Sequence, residues 1–469
     1  MACSKKRPKP DARAHFMEDD TIAAIATPPG MGGIAIVRIS GPRAIAVADR
    51  VFGGRTPLAD KPANTVSVGP VHGSDGRALD VALWLVRRAP RSFTGEDLVE
   101  IQCHGGAQVP RLVLSAVCAA GARIAEPGEY TRRAFLNGRI DLLQAESVLD
   151  IIRAQTDRAA VAAAEQMQGA LSKEIQAVYD DILAALTSVE YSNEFTEFTD
   201  DQDVVSPPLD LISAALTRAE RLLSTELAGR RLRDGTKVVI LGPPNSGKST
   251  LFNALLGYDR AIVTEEPGTT RDTIEEQIII RGQLFRVVDT AGVRSAEGKV
   301  EAEGIRRTIE QIETSDVVLH VIDATTGFSE KSLSLIKSIR NSFVINVLNK
   351  CDLRISDGIG VPQDAVRISA LSGMGLDKLR ETIIERLERG GPQKEANQFY
   401  ISERHSVLLR EVESHLIQAR DIIASDREDW ASLVATHLRA ALDASGGITG
   451  RTYYPELLDS IFKNFCVGK

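Results

Sequence analysis

Residues Gly242-Pro243-Pro244-Asn245-Ser246-Gly247-Lys248-Ser249 fit the spacing G-x-x-x-x-G-K-[ST]. They follow Lys237–Leu241, a short β-branched run that reads as a buried strand. A strand feeding a glycine-rich turn and then a helix wraps backbone N–H groups, here from Asn245 to Thr250, around phosphates. Lys248 then meets the β/γ oxygens, and the Ser249 hydroxyl ligates Mg²⁺. Alone, the pattern fits many nucleotide enzymes; its surroundings select the base and the hydrolytic chemistry.

Four further elements follow in chain order. Gly268-Thr269-Thr270-Arg271-Asp272 offers a loop threonine that can reach Mg²⁺ beside Ser249. Asp289-Thr290-Ala291-Gly292 closes a strand, setting Asp289 near the Mg²⁺ water shell and the Gly292 N–H near the γ-phosphate. Asn349-Lys350-Cys351-Asp352 closes another. The Asp352 carboxylate can accept from the N1–H and 2-amino groups of guanine, donors that adenine lacks. Ser369-Ala370-Leu371 supplies a backbone N–H for guanine O6. These elements, in order and each beside or just beyond a strand, imply GTP and GDP as ligands.

Hydrolysis departs from the Ras-like arrangement, which places a water-orienting glutamine directly after the Asp-x-x-Gly glycine. Here that position is Val293, which can do nothing for a water; Glu297, Glu301 and Glu303 are the nearby acids, and spacing does not choose among them. Asn245 inside the phosphate loop, with carbonyls of the segment 258–267, can hold a monovalent cation beside the β/γ-phosphates. A plain hydrogen-bonding role for Asn245 is equally compatible with the residues.

The elements that position these groups belong to a chain of 469 residues, enough for about three domains. Charged residues make up 26% and the net charge is -8, so no global basic field draws the chain onto nucleic acid. Cys3, Cys103, Cys118, Cys351 and Cys466 are widely spaced, form no metal-ligand cluster and suit a reducing, cytoplasmic compartment. No run of about 18 apolar residues predicts a membrane span. Residues 1–19, with Lys5, Lys6, Arg7, Lys9 and Arg13, read as a disordered extension, or as sequence upstream of a start at Met17.

From Thr21 to about Ala120 the pattern is mixed α/β, with strands over Ile34–Ile39, Ala82–Val86 and Leu98–Cys103 and a helix from Val109. From about Leu142 to Arg233, apolar residues recur at three and four, predicting long helices broken by a polar gap around Tyr191–Pro208. After Thr236, strand-like runs alternate with helical segments as βα units of a mostly parallel sheet, ending near Glu388. The remainder is helical again. An α/β domain inserted into a helical one accounts for the order.

Further motifs carry a resemblance. They are Ala26-Thr27-Pro28-Pro29-Gly30, Arg38-Ile39-Ser40-Gly41, Phe93-Thr94-Gly95-Glu96-Asp97 and Cys103-His104-Gly105-Gly106. Pro127-Gly128-Glu129-Tyr130-Thr131-Arg132-Arg133 and the ending Phe465-Cys466-Val467-Gly468-Lys469 complete the set. From Asp20 to Lys469 the chain resembles the MnmE (TrmE) family of tRNA uridine-5-carboxymethylaminomethyl modification GTPases. The resemblance implies an N-terminal folate-binding, aminomethyltransferase-like α/β domain (20–137) that dimerises. It also implies a helical domain in two parts (138–233 and 389–469) and an inserted G domain (234–388). Asn245, Thr264, Glu266 and Thr269 are then potassium ligands, and Ser249 and Thr270 magnesium ligands. Glu301, twelve residues after Asp289, becomes the water-orienting glutamate, working with Lys248 and Thr270.

The resemblance also implies a homodimer, an α2β2-type complex with the FAD enzyme MnmG (GidA), and a tRNA substrate. A 5-formyl- or methylenetetrahydrofolate would sit among Arg38, Glu100, Glu129, Tyr130, Arg133, Asn137 and Lys469, with Cys466 near the uridine or folate. Pro243 in the phosphate loop, Val467, Ser295 and the acidic stretch Tyr191–Asp203 depart from the family pattern. An Era- or Der-type GTPase would need a KH module or a second G domain, and neither is present. A non-hydrolysing, GTP-gated scaffold is the non-enzymatic alternative.

Overall fold

The structure is a computed structural model describing residues 20–196, 207–259, 275–289, 309–327, 343–353, 362–389, 400–425, 427 and 429–468. The chain divides into two compact units, residues 1–149 with 446–469, and residues 150–445.

The first unit is built on a six-stranded sheet: β1 (Ile22–Ile25), β2 (Ile34–Ser40), β3 (Thr65–His72), β4 (Ala78–Arg87), β5 (Leu98–His104) and β6 (Arg123–Ile124). Their order is β3-β4-β5-β2-β1-β6, antiparallel except for β1 with β6. The period-2 alternation of β2 and β5 decides the faces. Ala35, Val37, Ile39, Val99, Ile101 and Cys103 turn into a core with α1 (Ala44–Val51) and α2 (Val109–Ala119). Arg38, Glu100, Gln102 and His104 occupy the other face. Trp84 is fully buried in that core, its ring edge-on to Phe52 and its Nε1 donating to Gly69 O at 3.1 Å.

Helix α3 (Glu129–Leu136), the start of α4 (Leu142–Arg153) and a C-terminal helix, Pro455–Phe462, form a second cluster of Phe135, Leu142, Ala145, Val148, Leu458, Phe462 and Phe465. The last residues of the chain thereby reach the sheet. Val467 bridges Pro127, and the Gly128 N–H donates to Cys466 O at 3.4 Å.

In the second unit, α5 (Asp157–Met167), α6 (Ala170–Thr196), α7 (Leu209–Leu223) and α8 (Glu226–Asp234) precede the inserted sheet. Leu171, Ile175, Val178, Ile182, Ala185 and Val189 of α6 are all fully buried, at alternating spacings of four and three. At roughly 1.5–3 kcal/mol per buried aliphatic side chain, this stripe outweighs the propensity of any single residue in α6. Helix α6 runs to Thr196, so helix occupies the first residues of the expected polar gap; residues 197–206 lie outside the described set.

The inserted sheet comprises β7 (Thr236–Leu241), β8 (Glu275–Ile280), β9 (Gln283–Asp289), β10 (Val317–Asp323), β11 (Phe343–Asn349) and β12 (Val366–Arg367). Its order is β12-β11-β10-β7-β9-β8, parallel throughout except for β8 against β9. Val238, Val239 and Ile240 of central β7 are buried, the continuous β-branched run expected where both faces are covered. Helix α9 (Lys248–Asp259) follows β7, and Leu376–Arg389 follows β12.

Candidate nucleotide and N-terminal sites

The loop from Gly242 to Gly247 leaves β7 at the carboxyl end of the parallel strands. Its geometry demands its small residues. A Cβ on Gly242 would lie 2.5 Å from Val321 O, and one on Gly247 would lie 2.2 Å from Asn349 Nδ2. Asn245 and Gly247 both have positive φ, +63° and +89°, so backbone N–H groups turn inward to make an anion-binding concavity. Ser246 is fully buried, with Oγ donating to Pro243 O at 3.0 Å; Lys248 Nζ donates to the same carbonyl at 2.7 Å. Pro243 thus serves through its oxygen, and its missing N–H is no loss to these contacts. Ser249 and Thr250 stand exposed in the first turn of α9, where helix N–H groups and the macrodipole favour phosphate. A magnesium-bound nucleotide fits this donor set.

Asn349 joins the phosphate loop to the turn at Ser369–Ala370. It is 2% exposed at the end of β11, donates from Nδ2 to Ser246 O at 2.9 Å, and accepts at Oδ1 from the Ala370 N–H at 2.9 Å. Lys350, at φ +64°, extends Nζ to within 2.7 Å of Asp323 Oδ2. Burial works against the Asp323 charge, but hydrogen bonds from Lys350 and Thr325 hold its carboxyl below the ordinary value. Ser369 is buried and its Oγ accepts from the Ser372 N–H, closing the 369–372 turn. Asp352 and Leu371 are exposed beside these anchored residues.

β9 pairs with β7 through Ile240 and Asp289, which brings the Asp289 backbone alongside the end of the strand that feeds the loop. Thr264, Glu266, Thr269, Thr270, Thr290, Ala291, Gly292, Val293, Glu297, Glu301, Glu303 and Lys469, and the Asp289 side chain, lie outside the described residues.

In the first unit, Arg38 donates through Nε and Nη2 to Glu100 Oε1 at 3.0 and 2.7 Å, and through Nη1 to Gly468 O at 3.3 Å. Its guanidinium lies 5.6 Å from the Tyr130 ring centroid and 6.0 Å from that of Phe93. Tyr130 is fully buried, with Oη donating to Arg38 O at 2.8 Å; burial pushes its phenol well up. Beside it, Glu129 accepts from Arg123 and Arg133 at 2.6 and 2.8 Å and from the Glu126 N–H at 2.8 Å. Arg133 also pairs with Asp20 and Glu96. Burial opposes the Glu129 charge, yet these hydrogen bonds hold its carboxyl below the ordinary value. Asn137 Nδ2 donates to Thr94 O at 2.8 Å. Cys466 is exposed.

Arg38, Glu100, Tyr130 and the chain end therefore converge, while Glu129 and Arg133 belong to an adjoining ion network. Asp20, Glu96, Arg123 and Asp323 were not singled out from the sequence. Two of them left a signal there: Glu96 inside the Phe93-Thr94-Gly95-Glu96-Asp97 motif, and Asp323 as an acid ending an apolar strand run.

The sequence matches the MnmE helical domain over residues 142–466 and the N-terminus of the GTP-binding protein TrmE over residues 21–139. It is 44% identical over 461 residues to the tRNA modification GTPase MnmE of Geobacter sulfurreducens, covering 96% of this chain and 99% of that one. This chain belongs to the MnmE family. The Geobacillus kaustophilus protein of the same name is 42% identical over 467 residues (96% and 100% of the two chains), and that of Chlamydia pneumoniae 41% over 454 residues (97% and 100%). As an MnmE-family protein the chain is a P-loop GTPase, with its G domain inserted into a helical domain and preceded by an α/β domain. Among the described residues, no helix is long and apolar enough to cross a membrane.

Proposed function

We propose that this protein couples potassium-dependent GTP hydrolysis to modification of carbon 5 of the wobble uridine of tRNA, installing an aminomethyl or carboxymethylaminomethyl group. The observation that carries the reading is near-full-length similarity to proteins named tRNA modification GTPases, reaching 44% identity. In this reading Lys248, Ser249 and Thr270 hold Mg²⁺–GTP, with Asp289–Gly292, Asn349, Lys350, Asp352, Ser369 and Ala370 completing the site. Asn245, Thr264, Glu266 and Thr269 hold K⁺, which stabilises developing charge between the β- and γ-phosphates. Glu301 orients the water.

A folate one-carbon carrier binds the first unit near Arg38, Glu100, Glu129, Tyr130, Arg133, Asn137 and Lys469, with Cys466 beside it. An FAD-bearing MnmG partner supplies the redox chemistry in an α2β2-type complex. Two features support this placement: the Arg38 guanidinium spans Glu100 and the Gly468 carbonyl, and Cys466, two residues before Gly468 in the chain, is exposed. A homodimer through the N-terminal sheet is supported by its outer face, where Val66 and Val68 on edge strand β3 and Val81 and Leu83 on its neighbour β4 are 40–67% exposed. The division into 20–137, 138–233, 234–388 and 389–469 belongs to the same reading.

GTP turnover is expected to rise with potassium and hardly with sodium, and Glu301→Ala to abolish it while nucleotide affinity is kept. Equal turnover in both salts, or normal hydrolysis by the variant, overturns the mechanism. Nucleoside analysis of tRNA from cells lacking the gene tests the substrate: an unchanged wobble uridine overturns it.

A further inference from the structure

The motif Cys103-His104-Gly105-Gly106 has no part in the nucleotide site, and of its two side chains only the histidine's is exposed. Cys103 faces the core, where burial pushes its thiol up to about 11. His104 ends β5 with its side chain 73% exposed, while the Asp80 side chain that holds it is 9% exposed. Asp80 grips the residue twice. Oδ2 accepts from the His104 backbone N–H at 2.7 Å, and Oδ1 lies 2.7 Å from the ring Nδ1. Burial opposes the Asp80 charge, but the hydrogen bonds from His104 hold its carboxyl below the ordinary value and so keep it an acceptor. A carboxylate on Nδ1 assigns the proton of the neutral ring to that nitrogen and leaves Nε2 an unprotonated base pointing outward.

The surroundings leave room for a ligand. Gly105 donates to Gly33 O at 3.2 Å and packs so closely that a Cβ would lie 2.0 Å from Gly32 O. Around this contact Gly30, Gly33 and Gly106 face open space, with no atom within 4 Å of where a Cβ would stand. His104 pairs with Ile34 on the sheet face where Ile36 pairs with Gln102 and Arg38 with Glu100. His104 is four residue steps along the strand from Glu100, so the imidazole lies about 13 Å from the ion pair. One face thus carries an ion pair, an amide and an oriented base in a row.

We propose that His104, positioned by Asp80, is the general acid–base residue for one-carbon transfer in the N-terminal domain; this rests on the folate-dependent modification proposed above. Nε2 takes a proton from the ammonium group of the amine substrate. The freed nitrogen lone pair forms a C–N bond to the methylene carbon of the carrier's iminium, and the C=N π electrons return to the carrier nitrogen. The adduct's ammonium nitrogen gives its second proton to solvent, and the imidazolium protonates the carrier nitrogen. The amine lone pair then expels that nitrogen, so that the carrier C–N bond breaks and the one-carbon unit leaves on the amine as its iminium, with one proton released overall. The carbon stays at the formaldehyde oxidation level, so this step needs neither oxidant nor reductant.

The test is a reconstituted modification assay with full-length protein, its FAD partner, tRNA, GTP, methylenetetrahydrofolate and glycine. His104→Ala is expected to lower the rate of modified-nucleoside formation about 10²–10⁴-fold, the usual worth of a positioned acid–base group. Added imidazole should restore part of the rate saturably in this variant and do nothing for the wild type. Asp80→Asn should lower kcat with little change in KM for the folate. A wild-type rate in His104→Ala, or a loss that imidazole does not touch, overturns the assignment. Product absent from the wild-type reaction as well would instead remove the modification reading, and this inference with it.

Discussion

Asn349→Ala is the perturbation that most directly probes how the guanine nucleotide site is held together. The amide makes two hydrogen bonds of 2.9 Å, to Ser246 O in the phosphate loop and from the Ala370 N–H in the 369–372 turn, which the proposed function places against the base, and it is 2% exposed. Two ordinary hydrogen bonds contribute about 2 kcal/mol net, and leaving buried backbone partners unsatisfied raises the cost to about 4 kcal/mol. Both partners belong to loops that must stand together for one nucleotide to touch both. The cost therefore falls mainly on affinity, because the free protein can relax where the complex cannot. At about 1.4 kcal/mol per tenfold, GDP should bind roughly 30- to 1000-fold more weakly. Titration with a fluorescent GDP analogue measures this, with the thermal midpoint recorded alongside. Gly247→Ala approaches the same brace from the other side, since its Cβ would lie 2.2 Å from Asn349 Nδ2 at a φ of +89°. The two losses should be less than additive in the double variant, because both act through one contact. GDP affinity within threefold of wild type in Asn349→Ala, with an unchanged midpoint, would refute the brace.

Three further outcomes follow from other contacts. Asp20 and Glu129 titrate below their ordinary values of 3.8 and 4.5, so the unfolded chain binds more protons at these sites on acidification. Their contribution is complete above those ordinary values and is lost as pH falls through the lower folded ones; Glu129→Gln should flatten the acid limb of stability against pH. Asp316, 4% exposed, accepts from Arg230 at 2.7 Å, from Arg231 at 3.1 Å and from the Lys237 N–H at 2.9 Å. With Arg230 half exposed, Asp316→Ala should cost roughly 2–4 kcal/mol in urea unfolding, and a change below 0.5 would show the cluster to be idle. Val68→Lys with Leu83→Lys puts two charges on a directly paired position of the exposed sheet face and, under the proposed homodimer, should shift the mass measured by light scattering from dimer to monomer.

What could be read from the chain, and what could not, divides on sequence distance. The strands β2, β4, β5 and β7 to β11 announce themselves because a period of two, or an unbroken β-branched run, is written in adjacent residues. β3 is masked in the sequence because Pro70 breaks its pattern; it survives as an edge strand, with Pro70 paired to Val81 on one side only. The stripe on α6 is equally local, and burial carries that helix to Thr196, into a stretch whose composition reads as a gap. Partners are another matter. Glu100 meets Arg38 across 62 residues and Asp323 meets Lys350 across 27, each through strand register, which single-residue patterns do not encode.

The same limit explains His104. Its motif is conspicuous in the chain, but the residue that gives the ring a fixed tautomer, Asp80, sits 24 positions earlier on a neighbouring strand with nothing local to distinguish it from a turn acid. A nucleotide loop is legible because one continuous segment does most of the binding. A proton-transfer pair is legible only once the sheet has brought its two halves together.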